Sequence, residues 1–169
     1  MSFQTFSQAG QDEWVFSLFG NKGTFLDVGC GHPEAGSNTC ALERIGWTGF
    51  LLDLHLPNVI ACRETRSSPV LHADATVINW TEVLPFKAFD YLSLDVDEAQ
   101  WDALANLLGH GVTFKAATVE HDAYRFGNDR RDELRRLMTL HGYELARPDV
   151  ECGGVAFEDW WVKKQIDKP

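Results

Sequence analysis

The chain has 169 residues, about the length of one domain, and 44% of them are hydrophobic, which is enough for a core. Its 25 acidic residues outnumber 15 basic ones, and the formal net charge is −10. This charge argues against a nucleic-acid partner, which is normally bound by a basic face, and against an anionic membrane surface.

Two further features bear on where the protein acts. We find no run near the roughly 18 apolar residues of a membrane span, and no basic region followed by an apolar one near the N-terminus, as a secretory signal would have. The cysteines, Cys30, Cys40, Cys62 and Cys152, form no Cys-x-x-Cys pair. Scattered cysteines favour reduced thiols over a disulfide framework or a zinc cluster. The sequence therefore predicts a cytoplasmic protein.

Hydrophobic periodicity predicts helices and strands that alternate along the chain. The predicted helices span residues 11–19, 37–45, 57–66 and 98–108, and a short helical turn is predicted at 80–84. Ser37 is the predicted N-cap of the second helix. A last helix is predicted to start from Asp129 as its N-cap and to close at Gly142. The predicted strands span residues 25–28, 49–54, 70–73, 89–94, 112–119, 143–146 and 155–162. This alternation predicts a single α/β domain over residues 1–169, with a doubly wound, mostly parallel seven-stranded sheet, helices on both faces and an antiparallel last strand.

The first predicted strand runs directly into Gly29, Cys30 and Gly31. Glycine lets the backbone turn sharply and lets a ligand approach closely. A strand, a glycine turn and a helix together form the usual nucleotide-type site at the carboxyl edge of a parallel sheet. The alternative is a turn that only reverses the chain.

The residues of this turn limit the ligand it could bind. A dinucleotide fingerprint needs glycine at its first, third and sixth positions. Gly29 and Gly31 satisfy the first two, but the sixth position is Glu34, whose carboxylate would repel a pyrophosphate. The Gly-Lys-Ser/Thr ending of a phosphate-binding loop is also missing. The turn therefore favours a ligand without phosphate and with positive charge, such as S-adenosylmethionine, and argues against NAD.

Aspartates lie at the ends of four successive predicted strands, namely Asp27, Asp53, Asp74 and Asp95. Ligands of open parallel sheets bind along this edge. Asp53 lies about twenty residues beyond the turn, the distance at which an acidic residue meets ribose hydroxyls. Asp74 is placed to accept a hydrogen bond from the exocyclic amine of adenine. Alternatively, any one of them caps a helix or forms a turn.

A second polar cluster comprises Asp95 and Asp97 after the fourth strand and Glu120, His121 and Asp122 after the fifth. One interpretation makes His121 a general base for a substrate hydroxyl. Another has Asp95, His121 and Asp122 holding Mg²⁺ or Mn²⁺, which would lower the pKa of the substrate oxygen. A third treats the cluster as charged loop residues, and the sequence leaves all three open.

Several motifs resemble the FkbM-type S-adenosylmethionine-dependent methyltransferases of the class I fold. Single motifs are weak signals, but their order and spacing are fairly specific. They occupy residues 7–12, 25–31, 37–39, 42–43, 46–49, 91–97, 119–121, 142–143 and 158–162. The sequence departs from the family pattern at Asp53-Leu54, usually Glu-Pro, at Asp97-Glu98, where a Gly is common, and at Asp122, often Asn.

The resemblance implies a Rossmann-like fold and methyl transfer to oxygen on a small molecule, such as a sugar or a secondary metabolite. It assigns Gly29, Gly31 and Asp53 to the cofactor. Together with the strand-end pattern, it predicts a cofactor edge formed by Asp27, Gly29, Gly31, Asn38, Asp53 and Asp74. The methyl group is predicted to point toward Asp95 and His121 as catalytic residues. The alternative is a non-catalytic module that keeps the fold, which the short chain and Asp97-Glu98 favour.

Overall fold

The computed structural model describes residues 3–164. Within them, the strands are β1 (Thr24–Val28), β2 (Thr48–Asp53), β3 (Val70–His72), β4 (Ala88–Leu94), β5 (Thr113–Glu120), β6 (Tyr143–Cys152) and β7 (Val155–Lys163). The helices are α1 (Gln11–Phe19), α2 (Cys40–Arg44), α3 (Leu56–Thr65), α4 (Trp80–Val83), α5 (Gln100–Gly109), α6 (Ala123–Phe126) and α7 (Asn128–Leu140).

All seven strands form one sheet in the order β3-β2-β1-β4-β5-β7-β6. Strands β1 to β5 are parallel to one another, and β7 runs antiparallel to both β5 and β6. The predicted mostly parallel sheet with an antiparallel last strand is therefore confirmed. The strand order changes direction at β1, between β2 and β4, which is where open α/β sheets form a ligand crevice.

Two apolar cores cover the two faces of the sheet. Successive residues of β1 separate between them, with Leu26 in one core and Phe25 in the other, as the alternation of a strand requires. Trp160 and Trp161 divide in the same way, and both are at most 2% exposed. Both rings therefore belong to the cores.

The observed bounds differ from the predicted ones at several points. α2 begins at Cys40 with Thr39 as N-cap, and Ser37 instead accepts a hydrogen bond from the Cys40 amide at 3.2 Å. Gly127, not Asp129, is the N-cap of α7. β6 extends six residues beyond the predicted 143–146, because its second half also pairs with β7, although irregularly. The short helix α6 was not predicted.

A segment before α1 crosses the carboxyl edge of the sheet. Ser7 bridges to Gly36, and the Gly36 amide donates to the Phe6 carbonyl at 3.0 Å. The buried Asp12 accepts hydrogen bonds from Thr5 and Ser7 at 2.6 Å each. These contacts anchor the segment beside the glycine turn. Across residues 3–164, we find no helix with both the length and the apolar character needed to cross a membrane.

Candidate cofactor site

The predicted glycine turn joins β1 to the other strands at the switch point. The amides of Gly29 and Cys30 both donate to the Leu52 carbonyl, at 2.8 and 3.1 Å. Gly29 has a φ of 81°, and a Cβ atom there would lie 1.6 Å from the carbonyl oxygen of Asp95. Only glycine allows this close packing of the turn on the end of β4.

A cavity of about 620 Å³ opens beside the turn at the carboxyl ends of β1 to β4. This volume is within the range of small-molecule sites. Among its lining residues are five of the predicted site residues: Gly29, Gly31, Asp53, Asp74 and Asp95. The structure therefore brings together most of the residues that the sequence assigned to one ligand.

Asp53 links the cavity wall to the turn. Its Oδ2 accepts hydrogen bonds from the Gly31 amide at 2.9 Å and from Asn58 at 3.2 Å, and its Oδ1 accepts one from the His55 amide at 2.7 Å. An ionised carboxylate offers about four lone-pair sites, so capacity for a ligand hydroxyl remains. These bonds fix the orientation of Asp53 before any ligand binds.

Asp74 lines the same cavity and also forms a local turn. Its Oδ1 accepts hydrogen bonds from the Thr76 hydroxyl at 2.7 Å and the Thr76 amide at 2.9 Å. The two bonds hold the pKa of Asp74 below its usual range. Asp74 therefore forms a turn, which was the alternative that the sequence left open, and it also lines the cavity.

A second cavity of about 100 Å³ lies on the other side of the turn, and Asp27, Asn38 and Gln8 contribute to its lining. The Thr39 hydroxyl donates to buried Asp27 at 2.5 Å, and burial raises the pKa of Asp27. Asn38 Nδ2 donates to Ser93 at 3.1 Å, while the buried Asn38 Oδ1 has no hydrogen-bond partner. An unpaired buried acceptor of this kind suits a donor on a ligand.

The two cavities share three lining residues, Gly29, Gly31 and Asp95. A ligand that filled both cavities would cross the sheet edge at this junction. Asp95 is solvent-exposed there, so its carboxyl group is available to such a ligand.

Glu120 lies beside Asp95 on the adjacent strand. Because β4 and β5 pair in register at Leu94 and Val119, the next residue of each strand is Asp95 and Glu120. Burial, followed by the neighbouring Asp95, raises the pKa of Glu120, and burial also raises the pKa of Asp95.

His121 does not line either cavity, and it is 1% exposed. Its Nδ1 accepts a hydrogen bond from the Ala123 amide at 3.1 Å, and its Nε2 lies 3.7 Å from Asp149 and 3.8 Å from Asp159. Burial lowers the pKa of His121. The Nδ1 lone pair is therefore occupied by the backbone amide of Ala123. Its predicted catalytic role stays a prediction.

The predicted metal ligands do not converge. In the described part of the chain, the group of three possible ligands that comes together is His121, Asp149 and Asp159, with atoms within 4.8 Å of one another. Asp95 and Asp122 are outside this group. Arg135 forms salt bridges with both Asp149 and Asp159, so their charges are already compensated. This donor set does not fit a divalent cation.

Asp122 instead begins α6. It adopts a left-handed φ of 44°, and its Oδ2 accepts a hydrogen bond from Arg125 at 3.3 Å. The same guanidinium donates to Asp97 at 3.0 Å. Asp97 and Asp122 therefore anchor their loops through Arg125. This agrees with the third interpretation, in which the cluster consists of charged loop residues.

Comparison with known proteins gives matches at the level of structure. No family model matches the chain, and no curated protein does. A TehB-like SAM-dependent methyltransferase from Corynebacterium glutamicum has a TM-score of 0.65 at 19% identity, covering 92% of this chain and 88% of its own. The chain has the class I methyltransferase fold.

Two other structures show how varied such proteins are. A SAM-dependent O-methyltransferase from Thermotoga maritima has a TM-score of 0.62 at 13% identity, covering 94% of this chain and 66% of its own. A didemethyltoxoflavin N1-methyltransferase from Burkholderia thailandensis, solved with S-adenosylhomocysteine, has a TM-score of 0.58 at 14% identity, covering 94% and 78%. The resemblance to the FkbM type stays a prediction.

Proposed function

We propose that this chain is an S-adenosylmethionine-dependent methyltransferase that methylates a hydroxyl group of a small molecule, such as a sugar or a secondary metabolite. The observation that carries the proposal is the pair of cavities joined at Gly29, Gly31 and Asp95. The volumes of the two cavities, about 620 and 100 Å³, suit a ligand that has one large and one small end.

The polar groups of the cavities fit the chemistry of this cofactor. In the larger cavity, Asp53 would hold the ribose hydroxyls and Asp74 the adenine amine. In the smaller one, the unpaired Asn38 Oδ1 and the Asp27 carboxyl group would accept from the ammonium. Glu34, whose carboxylate the sequence set against a diphosphate, instead pairs with Arg44 and lines neither cavity.

In methyl transfer, the protein itself forms no covalent bond to the cofactor or the acceptor. The bound cofactor supplies an electrophilic methyl group, so the chain's tasks are to align the acceptor and exclude water. Asp95 lies at the junction of the cavities, where its carboxylate can take the proton of an acceptor hydroxyl. Glu120 lies beside Asp95 at the end of the neighbouring strand. We derive no step through a metal, since the predicted ligands do not converge.

Charge supports a small, non-nucleic-acid acceptor. The chain carries a net charge of −10, and the junction is lined by carboxyl groups. Anionic polymers would be repelled from such an edge. The four cysteines are free thiols, which agrees with a reaction in the reducing cytoplasm.

Methyl transfer can be tested with cofactor carrying a labelled methyl group and a panel of sugars and alcohols, with and without Mg²⁺. We expect label to appear on at least one hydroxyl compound, and Asp95→Asn to reduce the rate at least tenfold, a typical loss for a proton acceptor. Transfer to nitrogen compounds alone would contradict the hydroxyl assignment.

A second candidate is a non-catalytic module that keeps the cofactor site. Asp97-Glu98, where the resembled family commonly has Gly, favours it. Cofactor binding without turnover on the panel would support this candidate. Binding of NAD with no binding of S-adenosylmethionine would reject both.

A further inference from the structure

Two cysteines meet beneath the glycine turn. Cys30 lies within the turn and Cys62 on α3, and their Sγ atoms are 3.8 Å apart. Cys30 is 5% exposed and Cys62 is fully buried. The sequence alone did not reveal this contact, because 31 residues separate the two cysteines.

The thiol pair is connected directly to the cofactor residues. The Cys62 thiol donates to the Gly31 carbonyl at 3.5 Å, and the Gly31 amide donates to Asp53 at 2.9 Å. Cys30 and Gly31 both line the smaller cavity, which gives a small oxidant a path to the sulfur atoms. The hydrogen bond from Cys30 lowers the pKa of Cys62, which favours the thiolate on which oxidation depends.

We infer that Cys30 and Cys62 are a modification site, which hydrogen peroxide converts into a reversible disulfide that weakens cofactor binding. One thiolate first attacks an oxygen of hydrogen peroxide, so that the O–O bond breaks, a sulfenic acid forms and the other oxygen leaves as hydroxide, to be protonated to water. The second thiol then attacks the sulfenic sulfur as it loses its proton, so that the S–S bond forms and the hydroxyl group leaves with that proton as water. The effect on binding rests on the proposed function, whereas the disulfide itself does not.

The geometry explains why this bond alters the site. A disulfide has an S–S distance of about 2.05 Å, so the sulfur atoms must approach by roughly 2 Å. The backbone of Gly29 cannot move easily, because it packs on the Asp95 carbonyl. The movement therefore falls on Cys30 and Gly31, and it displaces the Gly31 amide from Asp53.

The test uses protein with Cys152→Ser, which removes the exposed thiol. After peroxide treatment, mass spectrometry should find the loss of two hydrogens and a linked peptide that contains residues 30 and 62. Calorimetry should show affinity for S-adenosylhomocysteine reduced about tenfold, on the scale of one lost buried hydrogen bond. Dithiothreitol should restore the affinity.

Matched variants separate this site from general oxidation. Cys62→Ser, or Cys62→Ala if serine is not tolerated, should bind equally well before and after peroxide. Cys40→Ser, which removes another buried thiol, should keep the full response. Absence of the linked peptide, or a disulfide that leaves affinity unchanged, would overturn the inference. If the reduced protein binds no cofactor, the proposed function fails, and the peptide map still decides whether the disulfide forms.

Discussion

Gly29 shows how strongly a single residue shapes the site. Its Cβ position is filled by the Asp95 carbonyl at 1.6 Å, whereas a Cβ atom at Gly31 would meet nothing within 4 Å. Both have positive φ, at 81° and 58°. The two positions therefore carry the same kind of backbone strain but differ in packing.

We expect Gly29→Ala to lower the free energy of unfolding by about 3 kcal/mol or more, since both strain and overpacking oppose it. Gly31→Ala, the matched control, should cost only about 1–2 kcal/mol from strain. Urea denaturation followed by tryptophan fluorescence measures both. Equal losses in the two variants would show that the contact with Asp95 is relaxed without cost.

Glu158 is a buried carboxyl group on the same row of the sheet as Glu120. It is 1% exposed and accepts a hydrogen bond from Trp160 Nε1 at 2.5 Å. Burial raises its pKa from 4.5 to about 8. The native state therefore keeps a proton that the unfolded chain releases between these values, so this group's contribution to stability falls as pH rises from 4.5 to 8.

Glu158→Gln should remove that fall, because glutamine keeps the shape without ionising. Relative to the wild type, the variant should gain about 1 kcal/mol or more of stability between pH 5 and pH 8.5. Urea midpoints at the two pH values measure the change. Glu151→Gln, at an exposed position of β6, is the control. Parallel pH dependence of wild type and Glu158→Gln would contradict a retained proton.

Individual site residues were predictable where spacing alone decides their position. Asp53 is the last residue of β2 and Asp74 lies two residues beyond β3, so both lie at the carboxyl edge of the sheet, beside the cavity. His121 also follows its strand, yet its ring turns toward Asp149 and Asp159. That orientation depends on β6 and β7, which come from a distant part of the chain, and local sequence does not encode it.

Among the secondary-structure elements, α7 is tied to the C-terminal hairpin by two arginines, Arg131, which donates to Asp149 at 3.1 Å, and Arg135. Arg135 donates to both oxygens of Asp159, at 2.7 and 2.8 Å, and Asp159 is nearly buried. The charged side chains of α7 therefore include two that form ion pairs with the hairpin.

Arg135→Met should destabilise the protein by about 3 kcal/mol, because it leaves the Asp159 carboxylate buried without its partner. Arg136→Met on the same helix replaces an exposed arginine and should change stability by less than about 0.5 kcal/mol. Chemical denaturation of both variants tests this. Similar midpoints for the two would mean that the Arg135 contact contributes little.

Elements with a clear apolar pattern were predicted to within a few residues, as α1 and β4 show. The failures occurred where pairing decides the structure. The second half of β6 is polar and carries Pro148, which is typical of a turn, but its backbone groups pair with β7. Likewise, Asp95 and Glu120 are paired by strand register, which periodicity within one strand does not reveal.

At the scale of the whole molecule, function depends on where the strand order changes direction. Between β2 and β4, the turn after β1 divides one continuous site into a large and a small cavity. Alternation of helices and strands was enough to predict the sheet and its binding edge. The division into two cavities depends on the segment before α1, which brings Gln8 to the small cavity and which the sequence did not predict.

The central claim is that this divided site holds S-adenosylmethionine through Asp53. Calorimetric titration of wild type and Asp53→Ala with S-adenosylmethionine tests it most directly. The account predicts that the wild type binds, and that Asp53→Ala weakens affinity by one to two orders of magnitude, as expected for lost hydrogen bonds to a buried polar group. No binding to the wild type, or equal affinity in the folded variant, would contradict it.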